Sequence, residues 1–207
     1  MSRFFLVIGL AINLAGCTNI GLLDQLEDPA GASKGCGSNC RIFVTFATFN
    51  GNLGGPTAAD GRCLSDINNP DGSGRGKWKA MLSSGAARRA CSSVTCQTGG
   101  TAEHIDWVLK PLTNYRRTDG AYVGTTSERG IFQALLTNFI SLNPNQVWTG
   151  LNSDWLDSGN NCNSWTDNGA FSGSWGNAGV QAPTVIFNGV GTELNCGNAL
   201  SLYCIEQ

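Results

Sequence analysis

Val147-Trp148-Thr149-Gly150-Leu151 and Leu202-Tyr203-Cys204-Ile205-Glu206 bracket the segment whose reading decides the fold. Both are short apolar-aromatic pieces embedded in Gly, Asn, Ser and Asp, the texture of short strands joined by long polar connections. Similar pieces lie between them, at Trp155, Trp165 and Trp175 and over Thr184 to Phe187. Upstream, Ile131 to Leu142 reads as a short helix ended before Asn143-Pro144, and Ile105 to Leu109 as a strand-like run stopped by Pro111. Cys91 to Gly100 reads as a loop. Lys77 to Cys91 reads as a helix, with Trp78, Met81 and Leu82 at i, i+3 and i+4, although Gly85 weakens its interior. Thr57 to Asn68, after Gly55-Pro56, reads as a helix carrying Cys63, and Ile42 to Phe49 as a strand ended by Asn50-Gly51. Helices early and strands late make an α+β chain.

The first residues have a different grammar. Arg3 precedes an uncharged apolar run from Phe4 to Ile12, too short to span a bilayer, and Leu14-Ala15-Gly16-Cys17 has the form of a bacterial lipobox. The expected organisation is a signal peptide over 1–16, a lipidated tether over 17–40 and one folded domain over 41–207. Lipidation of Cys17 would leave eight of the nine cysteines, an even number suited to disulfides in an oxidising compartment. Zinc fits poorly, because the close pairs are Cys-x3-Cys and Cys-x4-Cys and His104 is the single histidine. A formal net charge of -2 and a charged fraction of 14% argue against nucleic acid as a partner.

The order of the motifs carries a resemblance. A strand leads into Gly54-Gly55, followed by Ala59-Asp60-x-x-Cys63, Lys79-Ala80-Met81-Leu82-Ser83-Ser84 and Arg116-Arg117-x-Asp119. Val147-Trp148-x-Gly150, Cys162-x-x-Trp165 and Leu202-Tyr203-Cys204-Ile205-Glu206 continue in sequence. Over about residues 42–207 the chain resembles the C-type-lectin-like fold, and within it the leptospiral endostatin-like outer-membrane lipoproteins. The resemblance implies early helices packed on short, mostly antiparallel strands, stapled by Cys63–Cys204 and Cys162–Cys196. Cys36, Cys40, Cys91 and Cys96 fall outside that nested pattern and are paired locally, Cys36–Cys40 and Cys91–Cys96, because close spacing makes closure easy.

Catalysis finds little support. His104 has no Gly-x-Ser-x-Gly elbow to serve, and Asp154 and Asp157 lie among turn-forming residues. Calcium-dependent sugar binding has only Trp165-Thr166-Asp167-Asn168 as a partial echo, which reads more simply as a core tryptophan and a turn. No cofactor or metal is expected; the histidines that endostatin's zinc requires are missing. The resemblance implies instead a surface-exposed, outer-membrane-anchored adhesin for extracellular-matrix proteins, plasminogen or complement regulators, with a carbohydrate-binding lectin-like module as the alternative. Arg88-Arg89 and Arg116-Arg117, the two adjacent basic pairs, are the candidate ligand-binding residues, with sulfated glycans among the possible partners. Arg88-Arg89 reads equally as cations closing a helix C-terminus, and Arg116-Arg117 as a solvated loop pair.

Overall fold

Cys40, Ile42 and Val44 alternate with Phe43 along β1 (Asn39–Val44), so that one strand feeds two cores. The same holds for β9 (Ser201–Glu206), where Tyr203 and Ile205 enter one core and Leu202 and Cys204 the other. These strands lie at the centre of a computed structural model that describes residues 35–207. Cys17, the leader and most of the expected tether lie outside the described residues. The last residues assigned to the tether already join the sheet: Cys36 N donates to Gln207 O, β1 starts at Asn39 and Cys40 is buried.

The architecture is α+β, mostly β. Around β1 and β9 a mixed sheet runs β4-β3-β1-β9-β5-β7, with β2 also paired to β9. Its other strands are β2 (Trp78–Ala80), β3 (Asn114–Arg117), β4 (Tyr122–Thr125), β5 (Gln146–Trp148) and β7 (Trp175–Asn177). The β1–β3 and β5–β9 pairs are parallel and the other pairs antiparallel. A separate ribbon joins β6 (Ser172–Gly173) to β8 (Leu194–Asn195). The expected helix around Cys63 is α1 (Pro56–Ser65), started by Gly55 in a positive-φ conformation and by Pro56, which needs no amide donor there.

Four disulfides close the frame: Cys63–Cys204 joins α1 to β9, and Cys162–Cys196 joins two late loops. Cys36–Cys40 and Cys91–Cys96 close short loops, so the pairing agrees with both the resemblance and the local spacing.

Two expected helices do not form. Over Lys77 to Cys91 the apolar residues alternate: Trp78, Ala80 and Leu82 enter one core and Met81 the other. That is a strand pattern, and β9 supplies the backbone partners, Met81 N continuing to Tyr203 O. A short apolar cluster satisfies both periods, so pairing decides. Ile131 to Leu142 is also irregular, because its amides find tertiary acceptors: Leu136 N reaches Gln181 O, Thr137 N reaches Val123 O and Ser141 N reaches Ala178 O. Ile105 to Leu109 forms one isolated bridge, Ile105 to Arg89, and Thr184 to Phe187 contributes to a 3-10 turn (Pro183–Val185) rather than a strand.

Cys162–Trp165 is a left-handed turn of four consecutive non-glycine residues with φ between 51 and 65°. Such backbone costs about 1–2 kcal/mol per residue. Trp165 anchors it: the buried indole Nε1 donates to Ser83 O at 2.8 Å, and Trp165 O accepts from the amides of Leu53, Gly54 and Gly55. Asp167 then makes the expected turn, accepting from the amides of Gly169, Ala170 and Phe171.

Candidate functional site

The four arginines expected to bind ligand go to four different environments. Arg88 is not on the surface at all: its exposure is 0%. Its guanidinium bonds both oxygens of Asp60 at 2.7 and 2.8 Å, Asp106 Oδ2, and Ala80 O at 2.8 Å. Burial alone lowers a guanidinium's pKa; Asp60 and then Asp106 outweigh it and raise it. Asp60 Oδ1 also accepts from Ala80 N, so this cluster ties α1 to β2. Arg88 is therefore a structural ion pair, and with no helix there, neither it nor Arg89 closes a helix C-terminus. Arg89 is half-buried and donates through Nε and Nη2 to Glu103 O.

Arg116 and Arg117 lie in β3, not in a loop, and so point to opposite faces of the sheet. Arg117 is bound by Asp119 in a two-pronged pair, Nε to Oδ1 at 3.1 Å and Nη2 to Oδ2 at 2.6 Å. Arg116 is exposed, lies 5.6 Å over the Tyr122 ring and, among the described residues, has no carboxylate in ion-pair range. The two pairs thus cannot act as one patch of four charges.

A different set assembles around Arg116. Parallel pairing of β1 and β3 makes Arg41 its register partner, and the β3–β4 pairing makes Tyr122 its partner on the other side. Arg41 stacks 5.2 Å over Trp78 and bonds Glu206 and Asp71, Nη2 reaching Asp71 Oδ1 at 2.9 Å and Nε reaching Glu206 Oε2 at 3.0 Å. Glu206 and Asp71 raise the Arg41 pKa against the lowering by burial. Asp71 also accepts from Trp78 Nε1, so the loop after α1 is braced against the sheet. That loop brings Arg75 and Lys77 to the same cavity, about 310 Å³, which Arg41 and Glu206 line. Arg75 and Lys77 are exposed and, among the described residues, make no ion pair.

Beside these cations the open face carries a polar ladder. Tyr122 OH meets Thr125 Oγ1, which donates to Asn114 Oδ1, and Asn114 Nδ2 donates to Asn39 Oδ1. Arg75, Lys77 and Arg116, set around Arg41, whose charge Asp71 and Glu206 more than offset, can meet sulfate or carboxylate groups of an extended ligand. Sequence reading missed this group because its members are far apart in the chain. The available signal was period-two alternation over Asn114–Arg117, which separates Arg116 from Arg117 once the segment is read as a strand.

Glu103 organises the other arginine region. Its carboxylate accepts from the amides of Ser92, Ser93 and Gly99 and from both serine hydroxyls. Burial pushes its pKa up, but the Ser93 hydroxyl and the Gly99, Ser93 and Ser92 amides outweigh that and hold it at about 2, against an ordinary 4.5. The stabilisation is therefore whole above the ordinary value and is lost as pH falls through the folded one. Glu103→Ala should cost about 1–3 kcal/mol at neutral pH, the penalty of stranded buried donors. Unfolding curves should show this gap closing as the pH approaches that of the folded carboxyl; a gap that persists there would contradict the assignment. His104 lies in the same loop, with Nε2 3.0 Å from Arg129 O and its pKa lowered by burial.

Against known protein families, residues 46–181 match the model of a family described as a protein of unknown function, DUF1554. No match is found among curated proteins.

Proposed function

We propose that this chain, which belongs to the DUF1554 family of proteins of unknown function, is a non-enzymatic adhesin held at the cell surface by a lipid on Cys17. In this reading it is an endostatin-like, C-type-lectin-like module of an outer-membrane lipoprotein. Its ligands are extracellular macromolecules bearing sulfate or carboxylate groups: matrix proteins, plasminogen, complement regulators or the glycans attached to them. The observation that carries the reading is the placing of three cations, Arg75, Lys77 and Arg116, about one exposed end of a braced sheet, none of them with a carboxylate partner among the described residues. Guanidinium groups stacked on Tyr122 and Trp78 are pre-oriented, which reduces the entropy lost on binding. A disulfide-stapled, loop-rich frame is also what an extracytoplasmic binding module requires.

The test is solid-phase binding of the full chain to laminin, plasminogen and heparin at low and physiological salt. Changing Arg75, Lys77 and Arg116 together to Ala should weaken binding roughly tenfold at low salt, about 1.4 kcal/mol. The parent's own binding should fall as salt rises, because exposed charges are screened over about 8–10 Å. Stability should change by no more than about 0.5 kcal/mol, as these are surface positions. Arg117→Ala should leave binding intact, since Asp119 holds that side chain. Unchanged binding of the triple variant would remove the basic face from the mechanism. The polar ladder favours a second reading, a lectin-like face whose Tyr122, Asn114 and Asn39 meet sugar hydroxyls. Competition by free neutral sugar, without salt dependence, would identify that case.

A further inference from the structure

One of the four disulfides differs from the other three. Cys36 alone among the eight bridged cysteines is not buried; its partner Cys40 is 1% exposed, and the remaining six lie in the two cores. Loop length does not make the difference. Cys91–Cys96, with a separation of 5 against 4, is buried at both ends. A disulfide exchanges only where an incoming thiolate can reach a sulfur, and a nearby positive charge draws that thiolate in.

Cys36 meets the second condition as well. Lys110 Nζ lies 3.3 Å from its Sγ, and among the described residues that ammonium has no carboxylate partner. The sheet holds the lysine there. Parallel pairing of β1 with β3 sets Cys40 beside Tyr115, whose Oη accepts from Lys110 N at 2.8 Å, and Lys110 O accepts from Thr126 Oγ1 at 2.6 Å. Glu206 O also lies 3.3 Å from Cys36 Sγ, while the Glu206 carboxylate is bound to Arg41. That carbonyl favours a protonated thiol and Lys110 a thiolate; at equal distance a full charge outweighs a dipole. At Cys91–Cys96 the titratable neighbour is His104, 3.9 Å from Cys96 Sγ, whose pKa burial lowers.

We propose that Cys36–Cys40 is a thiol-exchange site for small-molecule thiols, with Lys110 holding the Cys36 sulfur as a thiolate when the bridge is open. The thiolate of the small molecule attacks Cys36 Sγ, the accessible sulfur. A bond to Cys36 forms as the bond to Cys40 breaks, and Cys40 leaves with the electron pair and takes a proton from water. A second thiolate attacks the sulfur of the bound small molecule and releases Cys36 beside Lys110. Two thiols are thereby oxidised to one disulfide, and the bridge gains their two electrons. The reaction uses none of Arg75, Lys77 and Arg116, so it stands whether or not the basic face binds ligand.

The probe is reduced glutathione, added in excess to the full folded chain, with acid quenching, alkylation and peptide mapping. Cys36–Cys40 should open at least about tenfold faster than each of the other three bridges, and the glutathione adduct should map to Cys36. In Cys40→Ser, the rate of Cys36 alkylation should rise with pH through a midpoint below the ordinary thiol value of about 8.5. Adding Lys110→Gln, which keeps the length of the side chain without its charge, should move that midpoint upward. Should these variants fail to fold, the order of opening and the place of the adduct in the parent chain still decide the matter. The proposal is overturned if Cys91–Cys96 opens as fast, if the adduct maps to Cys40, or if the midpoint is the same with and without the Lys110 charge.

Discussion

Changing Cys63 and Cys204 together to Ala should lower the unfolding free energy by about 5 kcal/mol, the chain-entropy value for a cross-link closing a loop of this length. The bridge spans a sequence separation of 141 and ties α1 to the central strand β9. Without it, the unfolded chain regains the freedom to separate its two ends. Both sulfurs are also buried among Ala59, Ala80 and Leu202, so their removal costs packing as well. The contrast is Cys36–Cys40, with a separation of 4, for which the same model assigns about 2 kcal/mol. Ordinary domains have only about 5–15 kcal/mol of stability, so the first change should leave a substantial unfolded fraction on mild warming and the second should not. Urea unfolding without reductant measures both; equal losses would mean that loop length does not govern stability here.

Arg88→Ala should cost about 3–5 kcal/mol, the usual consequence of removing one partner from a buried ion pair. Asp60 and Asp106 would each lose a guanidinium partner, and Ala80 O would lose a donor. Because Asp60 also accepts from Ala80 N, the loosened carboxylate weakens the attachment of β2 to α1. Arg89→Ala, one residue along, should cost about 1 kcal/mol, since it removes hydrogen bonds only to a backbone carbonyl. Chemical denaturation of the two variants compares them directly, and a neutral Arg88→Ala would refute the buried network. The same result governs how binding experiments are read. Ligand binding lost in Arg88→Ala would reflect unfolding, because this side chain cannot touch a ligand in the folded chain.

Cysteine spacing reached only the two short bridges, Cys36–Cys40 and Cys91–Cys96, whose partners lie close enough to close on themselves; Cys63–Cys204 and Cys162–Cys196 were implied by the resemblance and not by spacing. β1, β5 and β9 were legible because β-branched and aromatic runs bounded by turn residues favour strands, although the same texture at Thr184 to Phe187 ends in a 3-10 turn. Trp165 was legible as a core anchor, though not its left-handed turn, which depends on acceptors and donors from Ser83 and residues 53–55. Lys77 to Cys91 was misread because apolar spacing there fits two periods, and Ile131 to Leu142 because tertiary acceptors override its helical spacing. Only the partners present in the folded chain, Tyr203 O for one and Val123 O, Ala178 O and Gln181 O for the other, choose between them. Charge was the least legible property. Adjacent arginines look alike in a sequence, yet Arg88 is drawn inside by Asp60 and Asp106, while Arg117 is turned by strand geometry to Asp119. Arg41, Arg75, Lys77 and Arg116 become neighbours only when β1 pairs with β3 and the loop after α1 folds back. Local pattern encodes which apolar residues are buried and which close cysteines pair, because those preferences act over a few residues; which charges remain exposed and share a face depends on long-range pairing, and tertiary structure alone decides it.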